Sequence, residues 1–316
     1  MKRLRLLDSA KHQPYYSTDL GASYLGDSLG LMKCLPSKSI NLIVTSPPFA
    51  LTRKKEYGNK SADEYVEWFV KFAAEFKRIL KDDGSLVIDL GGAYLPGHPI
   101  RAIYQYELLL RLCKDLNFFL AQDFYHYNPS RLPAPAEWVN IRRVRVKDSV
   151  NLVWWLSVTE NPKADNRKIL KPYSESMKQL LMNGYKAKLR PSGHDISNKF
   201  QKDNNGAIPS NLLSLANTES NSAYLRRCKE AGIKSHPARF PLEFPKFFIE
   251  FLTDPKDVVL DPFAGSNTTG QAAESLKRRW LAFEIDETYL QGSVYRFQEV
   301  NDLFSLEAKN AKTQQV

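Results

Sequence analysis

Two rhythms of apolar positions alternate along this chain. Short unbroken runs, such as Ile40-Asn41-Leu42-Ile43-Val44 and Leu86-Val87-Ile88, read as buried strands. Longer stretches with apolar residues at helical spacing separate them, as at Tyr65, Trp68, Phe69, Phe72, Phe76 and Leu80. In chain order the pattern predicts a short strand before Gly26, a helix over 29–35, a strand over 40–44 and a helix over 64–80 that Asp82-Asp83-Gly84 ends. A strand over 85–90 finishing in Gly91-Gly92, a helix around 106–114 and strands over 118–127 and 150–158 follow. Beyond Thr159 the rhythm fades. Residues 160–234 are polar and turn-rich, with Ile169, Leu180, Leu181, Ile208, Leu212 and Leu213 as material for a small core. Order resumes at 235, with a helix over 244–252, strands over 257–261 and 280–285, and a helix from near Thr268. An α/β fold is expected, divided into 15–159, 160–234 and 235–302, with a polar tail over 303–316.

Composition narrows the class. The 316 residues carry 45 Lys+Arg against 35 Asp+Glu, a net charge of +10 that suits a polyanionic partner. Cys34, Cys113 and Cys228 form no C-x-x-C pair, and the five histidines are scattered, so neither a disulfide framework nor a metal is expected. Arg5 and Asp8 interrupt the only apolar start a signal peptide would need, and no window has the length of a membrane span. A cytoplasmic protein is expected.

Chemistry gathers where strands end. Thr45-Ser46-Pro47-Pro48-Phe49 closes the 40–44 strand, and two prolines cannot continue a sheet, so they fix a stiff loop. Such a loop offers a hydroxyl and a carbonyl at Ser46 and an aromatic plate at Phe49, which suits a planar base with an exocyclic amino group. A proline-rich turn without further role has the same residues. Asp27 can be a helix N-cap, an acceptor for an adenine amino group at a sheet edge, or both. Asp89 closes an apolar strand, where an unpaired carboxylate is costly and therefore a functional candidate. Arg53, Lys54 and Lys55 either track phosphate or form a solvated run. Tyr125 and Tyr127 share one strand face, as core or as the second wall of an aromatic slot. Residues 142–147 are basic at alternate positions.

The second cluster follows the 257–261 strand. In Asp261-Pro262-Phe263-Ala264-Gly265-Ser266-Asn267-Thr268-Thr269-Gly270, Gly265 permits close approach to a ligand, and the helix N-terminus presents N–H groups. Glu284 lies about 20 residues on, where a carboxylate can take both hydroxyls of a ribose. There is no G-x-G-x-x-G and no P-loop lysine, which disfavours NAD and ATP.

Together these stretches resemble the S-adenosylmethionine-dependent DNA amino-methyltransferases. Ser46-Pro47-Pro48-Phe49 is similar to their catalytic tetrapeptide, and Asp261-Pro262-Phe263-Ala264-Gly265 to their cofactor loop, in the order of the circularly permuted β group. Gly26-Asp27-Ser28, the 87–94 stretch, Asn128-Pro129-Ser130, Arg190-Pro191-Ser192-Gly193-His194-Asp195-Ile196 and the 236–241 stretch look like blocks of the PvuII-type cytosine-N4 branch. Many β-group members have Gly in place of Asn267. The resemblance implies a seven-stranded mixed, Rossmann-like methyltransferase sheet with a target-recognition region inserted over 160–234. It implies S-adenosylmethionine as cofactor, double-stranded DNA as partner and CAGCTG as target. In that reading Ser46, Pro47, Pro48, Phe49 and Asp89 carry the chemistry. Asp27, Thr45, His236, Arg239, Phe240, Asp261, Phe263, Gly265, Ser266, Asn267, Thr268 and Glu284 hold the cofactor. Arg53, Lys54, Lys55, Tyr125, Tyr127, Arg190, Ser192, His194 and Asp195 meet DNA. A monomer is expected, with a cognate restriction endonuclease that shares the target site without direct contact. The rival readings are an adenine-N6 methyltransferase, a non-catalytic DNA-binding protein on the same fold, and an RNA or small-molecule methyltransferase.

Overall fold

The structure is a computed structural model that describes residues 6–7, 11–50, 60–184, 202–217 and 222–297. Among these, one mixed sheet is built from β1 (Tyr16–Ser17), β2 (Gly21–Leu25), β3 (Ile40–Thr45), β4 (Leu80–Leu90), β5 (Phe119–Tyr127), β6 (Val150–Ser157), β7 (Leu212–Ser214), β8 (Val258–Asp261) and β9 (Arg279–Glu284). The helices are α1 (Ser28–Lys33), α2 (Ala62–Ile79), α3 (Tyr104–Lys114), α4 (Glu175–Asn183), α5 (Ala223–Glu230), α6 (Glu243–Leu252), α7 (Thr268–Ser275) and α8 (Glu287–Ser293).

The strand order is β1-β2-β9-β8-β3-β4-β6-β5-β7. The sheet thus has nine strands rather than the seven the resemblance implies. The two additional strands are β1, of 2 residues, and β7, of 3, and they cover the outer rims of β2 and β5. The run β2, β9, β8, β3, β4 is parallel throughout, and β6 lies antiparallel between β4 and β5. The C-terminal ends of β2, β3, β4, β5, β8 and β9 therefore share one edge with the N-terminal end of β6. The ends of β3 and β8, some 216 residues apart in sequence at Thr45 and Asp261, become neighbours.

Side-chain alternation gives each sheet face its own core. Leu86, Ile88 and Leu90 of β4 and Trp154 and Leu156 of β6 face α1, α2 and α3. Val87 of β4 and Val153 and Trp155 of β6 face α6 and α7. The aromatic spacing of α2 is structural, with Tyr65, Phe69 and Phe76 fully buried. That helix begins at Ala62 because Ser61 caps it: the Ser61 hydroxyl accepts from the Glu64 N–H and donates to the Glu64 carboxylate at 3.0 Å. It also stops earlier than expected. Leu80 is already strand, paired with Ile40 and only 1% exposed, so β4 runs straight through Asp82-Asp83-Gly84.

The 160–234 region is tied to the sheet at both ends. Lys163 N–H donates to the Asp83 carbonyl and Asp165 N–H to that of Phe251, each at 2.9 Å. β7 pairs with β5, and α5 buries Tyr224 and Cys228, one helical turn apart, against α8 and the turn after it. The packing around α5 thus joins it to the 235–302 part, across the expected boundary at 234.

Candidate functional site

A cavity of about 550 Å³ opens along the shared strand edge, a size that suits a nucleoside-scale ligand. Both sequence clusters meet in its lining. Ser46, Pro47, Pro48 and Phe49 come from the end of β3 and Asp89 from β4, while Phe263, Gly265 and Glu284 come from the β8–α7 loop and β9.

On the β9 side, Glu284 is 8% exposed and organises the loop around it. Its Oε2 accepts the Gly265 N–H at 2.7 Å, and its Oε1 accepts the N–H groups of Ile285 and Asp286 at 3.0 and 2.9 Å. Burial raises its pKa above the ordinary carboxylate value. Two carboxylate oxygens offer about four lone-pair sites, so roughly one remains for a ligand hydroxyl. Asp27 caps α1 through the Gly30 N–H at 2.9 Å and also lines the cavity, so its two expected positions coincide. Gly26 N–H donates to the Glu284 carbonyl at 2.9 Å, which ties the residue before Asp27 to the end of β9. Phe263 is braced by Trp68 and Phe72, with ring centroids 5.7 and 5.1 Å away.

His236, Arg239 and Phe240 form the facing wall. Burial lowers the His236 pKa to about 4, so the ring is neutral near pH 7. The Ala238 carbonyl, 2.5 Å from Nδ1, can only accept, so Nδ1 carries the proton and Nε2 is the acceptor nitrogen. Arg239 donates to the His236 carbonyl. Phe240 packs on Phe244 of α6 at 5.3 Å. The His236 ring lies against Gly265, whose φ of +51° already favours glycine. A Cβ there would sit 3.1 Å from three ring atoms. Gly265→Ala is therefore expected to weaken binding of S-adenosylmethionine, the cofactor that the resemblance implies, at least tenfold, read by calorimetric titration; native affinity would mean that the 236–241 wall yields without cost.

On the β3 side, Phe49 lies over Gly91. A Cβ on Gly91 would come within 2.5 Å of the Phe49 ring. The Gly91 carbonyl accepts from the Tyr104 hydroxyl, and the Leu90 carbonyl from Gln105 Nε2 at 2.6 Å, so α3 holds this turn in place. Gly91→Ala is expected to displace Phe49 and, in the reaction that the resemblance implies, to slow methyl transfer about tenfold or more, with cofactor affinity unchanged. A single-turnover rate equal to the native one would remove Phe49 from the stacking role that the resemblance gives it.

Some candidates stand behind the cavity wall. Thr45, Asp261 and Asn267 are buried but do not line the cavity. Asp261 is an internal staple: its carboxylate accepts from the hydroxyls of Thr45 at 2.8 Å and Thr269 at 2.6 Å, and from the Phe263 N–H at 3.1 Å. Burial pushes its pKa up to about 6. Asn267 has a φ of 56°, which suits the Gly of other β-group members, and caps α7 through the Gly270 N–H. Ser266 and Thr268 line the cavity, and Arg296 clamps Ser266 at its carbonyl (2.7 Å) and hydroxyl (2.9 Å).

The aromatic slot is corrected at β5. Strand alternation turns His126, between the two tyrosines, into the cavity, and puts Tyr125 and Tyr127 on the other face. Tyr125 there lies near Asp123 and Tyr106. Arg53, Lys54, Lys55, Arg190, Ser192, His194 and Asp195 lie outside the described residues. The structure adds lining residues that sequence reasoning did not select as site residues: His126, Asn128, Arg131, Asn151 and Asn217. Asn151 opens β6, opposite His126, and its Oδ1 accepts from Arg131 at 3.0 Å. Because β6 runs antiparallel, its first residues reach the site, where a rule looking only at strand ends misses them.

Residues 40–295 match the DNA methylase family. Type II methyltransferase M.PvuII from Proteus hauseri is 54% identical over 292 residues, covering 92% of this chain and 87% of that protein. DNA adenine methyltransferase YhdJ from Escherichia coli (strain K12) is 25% identical over 277 residues, covering 86% and 80%. Among solved structures, PvuII DNA methyltransferase (cytosine-N4-specific) aligns with a TM-score of 0.76 at 48% identity, covering 92% of this chain and 90% of that one. A Thermus thermophilus protein complexed with S-adenosyl-L-methionine shares the fold, with a TM-score of 0.55 at 18% identity over 87% and 92%.

Proposed function

This chain belongs to the DNA methylase family, and from that membership we propose that it methylates the exocyclic N4 of a cytosine flipped out of duplex DNA. The methyl donor is S-adenosylmethionine, the target is CAGCTG, and the activity is the protective half of a restriction–modification system. The observation that carries the reading is the continuity of one cavity from Ser46, Phe49 and Asp89 to Gly265 and Glu284. A DNA-binding protein without catalysis has no use for both ends. Ser rather than Asp before Pro-Pro-Phe supports cytosine over adenine, and the identity to a cytosine-N4-specific enzyme supports it further.

The residues present fit the donor: Glu284 and Asp27 for the ribose and adenine, Phe263 for the adenine face, and the 236–240 wall for the methionine end. When bound, it supplies a sulfonium methyl whose C–S electron pair stays on sulfur as the nitrogen takes the methyl. The amino nitrogen of cytosine is a weak nucleophile because its lone pair is delocalised into the ring. Positioning is therefore the main task of the protein. The Ser46 hydroxyl or carbonyl accepts from the amino group and directs its lone pair outward, while Phe49 stacks on the ring. Asp89 receives the proton that the methylated nitrogen sheds. Extruding the base costs a few kcal/mol, which the aromatic contact offsets in part.

The excess of basic residues supplies phosphate contacts and a steep salt dependence. Residues 160–234 read the base edges, and the protein works as a cytoplasmic monomer beside an endonuclease of the same specificity that it does not touch. No helix among the described residues is long and apolar enough to cross a membrane. Nucleoside mass spectrometry on unmethylated plasmid incubated with the protein and methyl-labelled donor tests the reading. N4-methylcytosine is the expected product. N6-methyladenine would overturn the base assignment and keep the residue roles, and no modified nucleoside with donor binding intact would overturn the reaction.

A further inference from the structure

Asp89 and His126 form a buried pair at the cavity floor. The pairing register places them on one sheet face: Asp89 is opposite Val153, Val153 is opposite Phe124, and His126 is two residues beyond Phe124. They are 3% and 7% exposed and both line the cavity. The imidazole ring packs on Phe244, with centroids 5.1 Å apart. His126 Nδ1 lies 3.6 Å from Asp89 Oδ2, in contact but beyond hydrogen-bond length.

Among the described residues, three polar atoms here are buried without a hydrogen-bond partner: Asp89 Oδ1 and both ring nitrogens of His126. Unpaired buried polar atoms are destabilising, and native proteins keep few of them. The packing alone does not ask for a histidine, since Phe124 and Phe244 beside it make an apolar setting in which phenylalanine would suffice. Polarity at this position is maintained toward what the cavity receives.

We propose that His126 is the positioning residue for Asp89 in proton removal. A ring N–H closes onto Asp89 Oδ2 and fixes the carboxylate, so that Oδ1 faces the amino group held at Ser46. After methyl transfer the nitrogen is cationic. One N–H bond breaks, its electron pair stays on nitrogen, and the proton passes to Oδ1, leaving a neutral methylamino group and a carboxylic acid. Asp89 returns the proton to water as the product base leaves. The inference rests on the methyl-transfer reading above and adds a residue that no motif marks.

The test is a double-mutant cycle on single-turnover methyl transfer, at saturating DNA and S-adenosylmethionine, with His126→Phe, Asp89→Asn and the double variant. His126→Phe is expected to slow transfer about tenfold to a hundredfold. Its donor affinity and melting temperature should not fall below native values, since no existing hydrogen bond is lost. In the Asp89→Asn background the same change should cost less than about twofold. His126→Gln, which keeps an N–H donor, should recover part of the rate. Equal losses from His126→Phe in both backgrounds, or a Gln variant no faster than Phe, would overturn the proposal; if the Phe variant does not fold, the cycle is run with His126→Gln and His126→Leu. Failure of the underlying reading is distinct: the native protein itself would then yield no methylated nucleoside.

Discussion

Ser46→Ala is expected to abolish most turnover while leaving S-adenosylmethionine binding nearly intact. Ser46 lines the β3 end of the cavity, apart from the Glu284 and Gly265 cluster that organises the other end. The substitution removes one hydroxyl and leaves the backbone carbonyl and the stiffness of Pro47-Pro48 in place. On the proposed reading, what is lost is the acceptor that pulls the amino nitrogen toward tetrahedral geometry. Removing one preorganised hydrogen-bonding group at a reacting centre costs roughly two to three orders of magnitude in rate. Single-turnover kinetics and calorimetric titration of the same preparation separate the two effects. A loss below about tenfold would transfer the role to the Ser46 carbonyl, and an equal loss in rate and in donor affinity would mean that Ser46 supports the fold of the cavity instead.

The strand-end loops were legible because their residues are unusual for a buried strand. Two prolines after 40–44, a carboxylate inside 85–90 and a glycine-rich turn after 257–261 each break the apolar pattern at a parallel strand's C-terminus. What brings these two loops to one cavity is the sheet order, which sets β8 beside β3 although Thr45 and Asp261 lie 216 positions apart. Other features depend on facts that no local pattern carries. Whether Tyr125 or His126 faces the cavity is set by the phase of a strand whose two faces are both mixed in character, and a one-residue change of phase exchanges them. Asn151 reaches the site because β6 is antiparallel, a property of pairing rather than of sequence. Asp261 is a family-motif residue, yet its hydroxyl and amide partners turn it inward as a staple. The length of β4 was missed for a similar reason, since pairing of Leu80 with Ile40 overrides the turn propensity of Asp82-Asp83-Gly84.

Glu284→Gln is expected to weaken S-adenosylmethionine binding about a hundredfold, more than it slows transfer at saturating donor. The carboxylate accepts three backbone N–H groups, those of Gly265, Ile285 and Asp286. An amide replaces one acceptor oxygen with a donor. In one orientation its NH₂ faces the Gly265 N–H, and in the other it faces Ile285 and Asp286; either way a donor opposes a donor. Hydrogen bonds to charged groups contribute about 1.5–3 kcal/mol each, and 1.4 kcal/mol is a factor of ten in affinity. Loss of the proposed ribose contact together with a disturbed Gly265 loop therefore reaches about two orders of magnitude. The pH dependence has a definite sign. Burial raises the Glu284 pKa, and the accepting, ionised form prevails above that raised value. Donor affinity should thus decline as pH falls through it, earlier than for an ordinary carboxylate, and the Gln variant should lack that decline. Calorimetric titration over pH on both proteins reads both effects. A Gln variant that binds as tightly as the native protein would move the proposed ribose contact to Asp27, the other carboxylate that lines this end of the cavity.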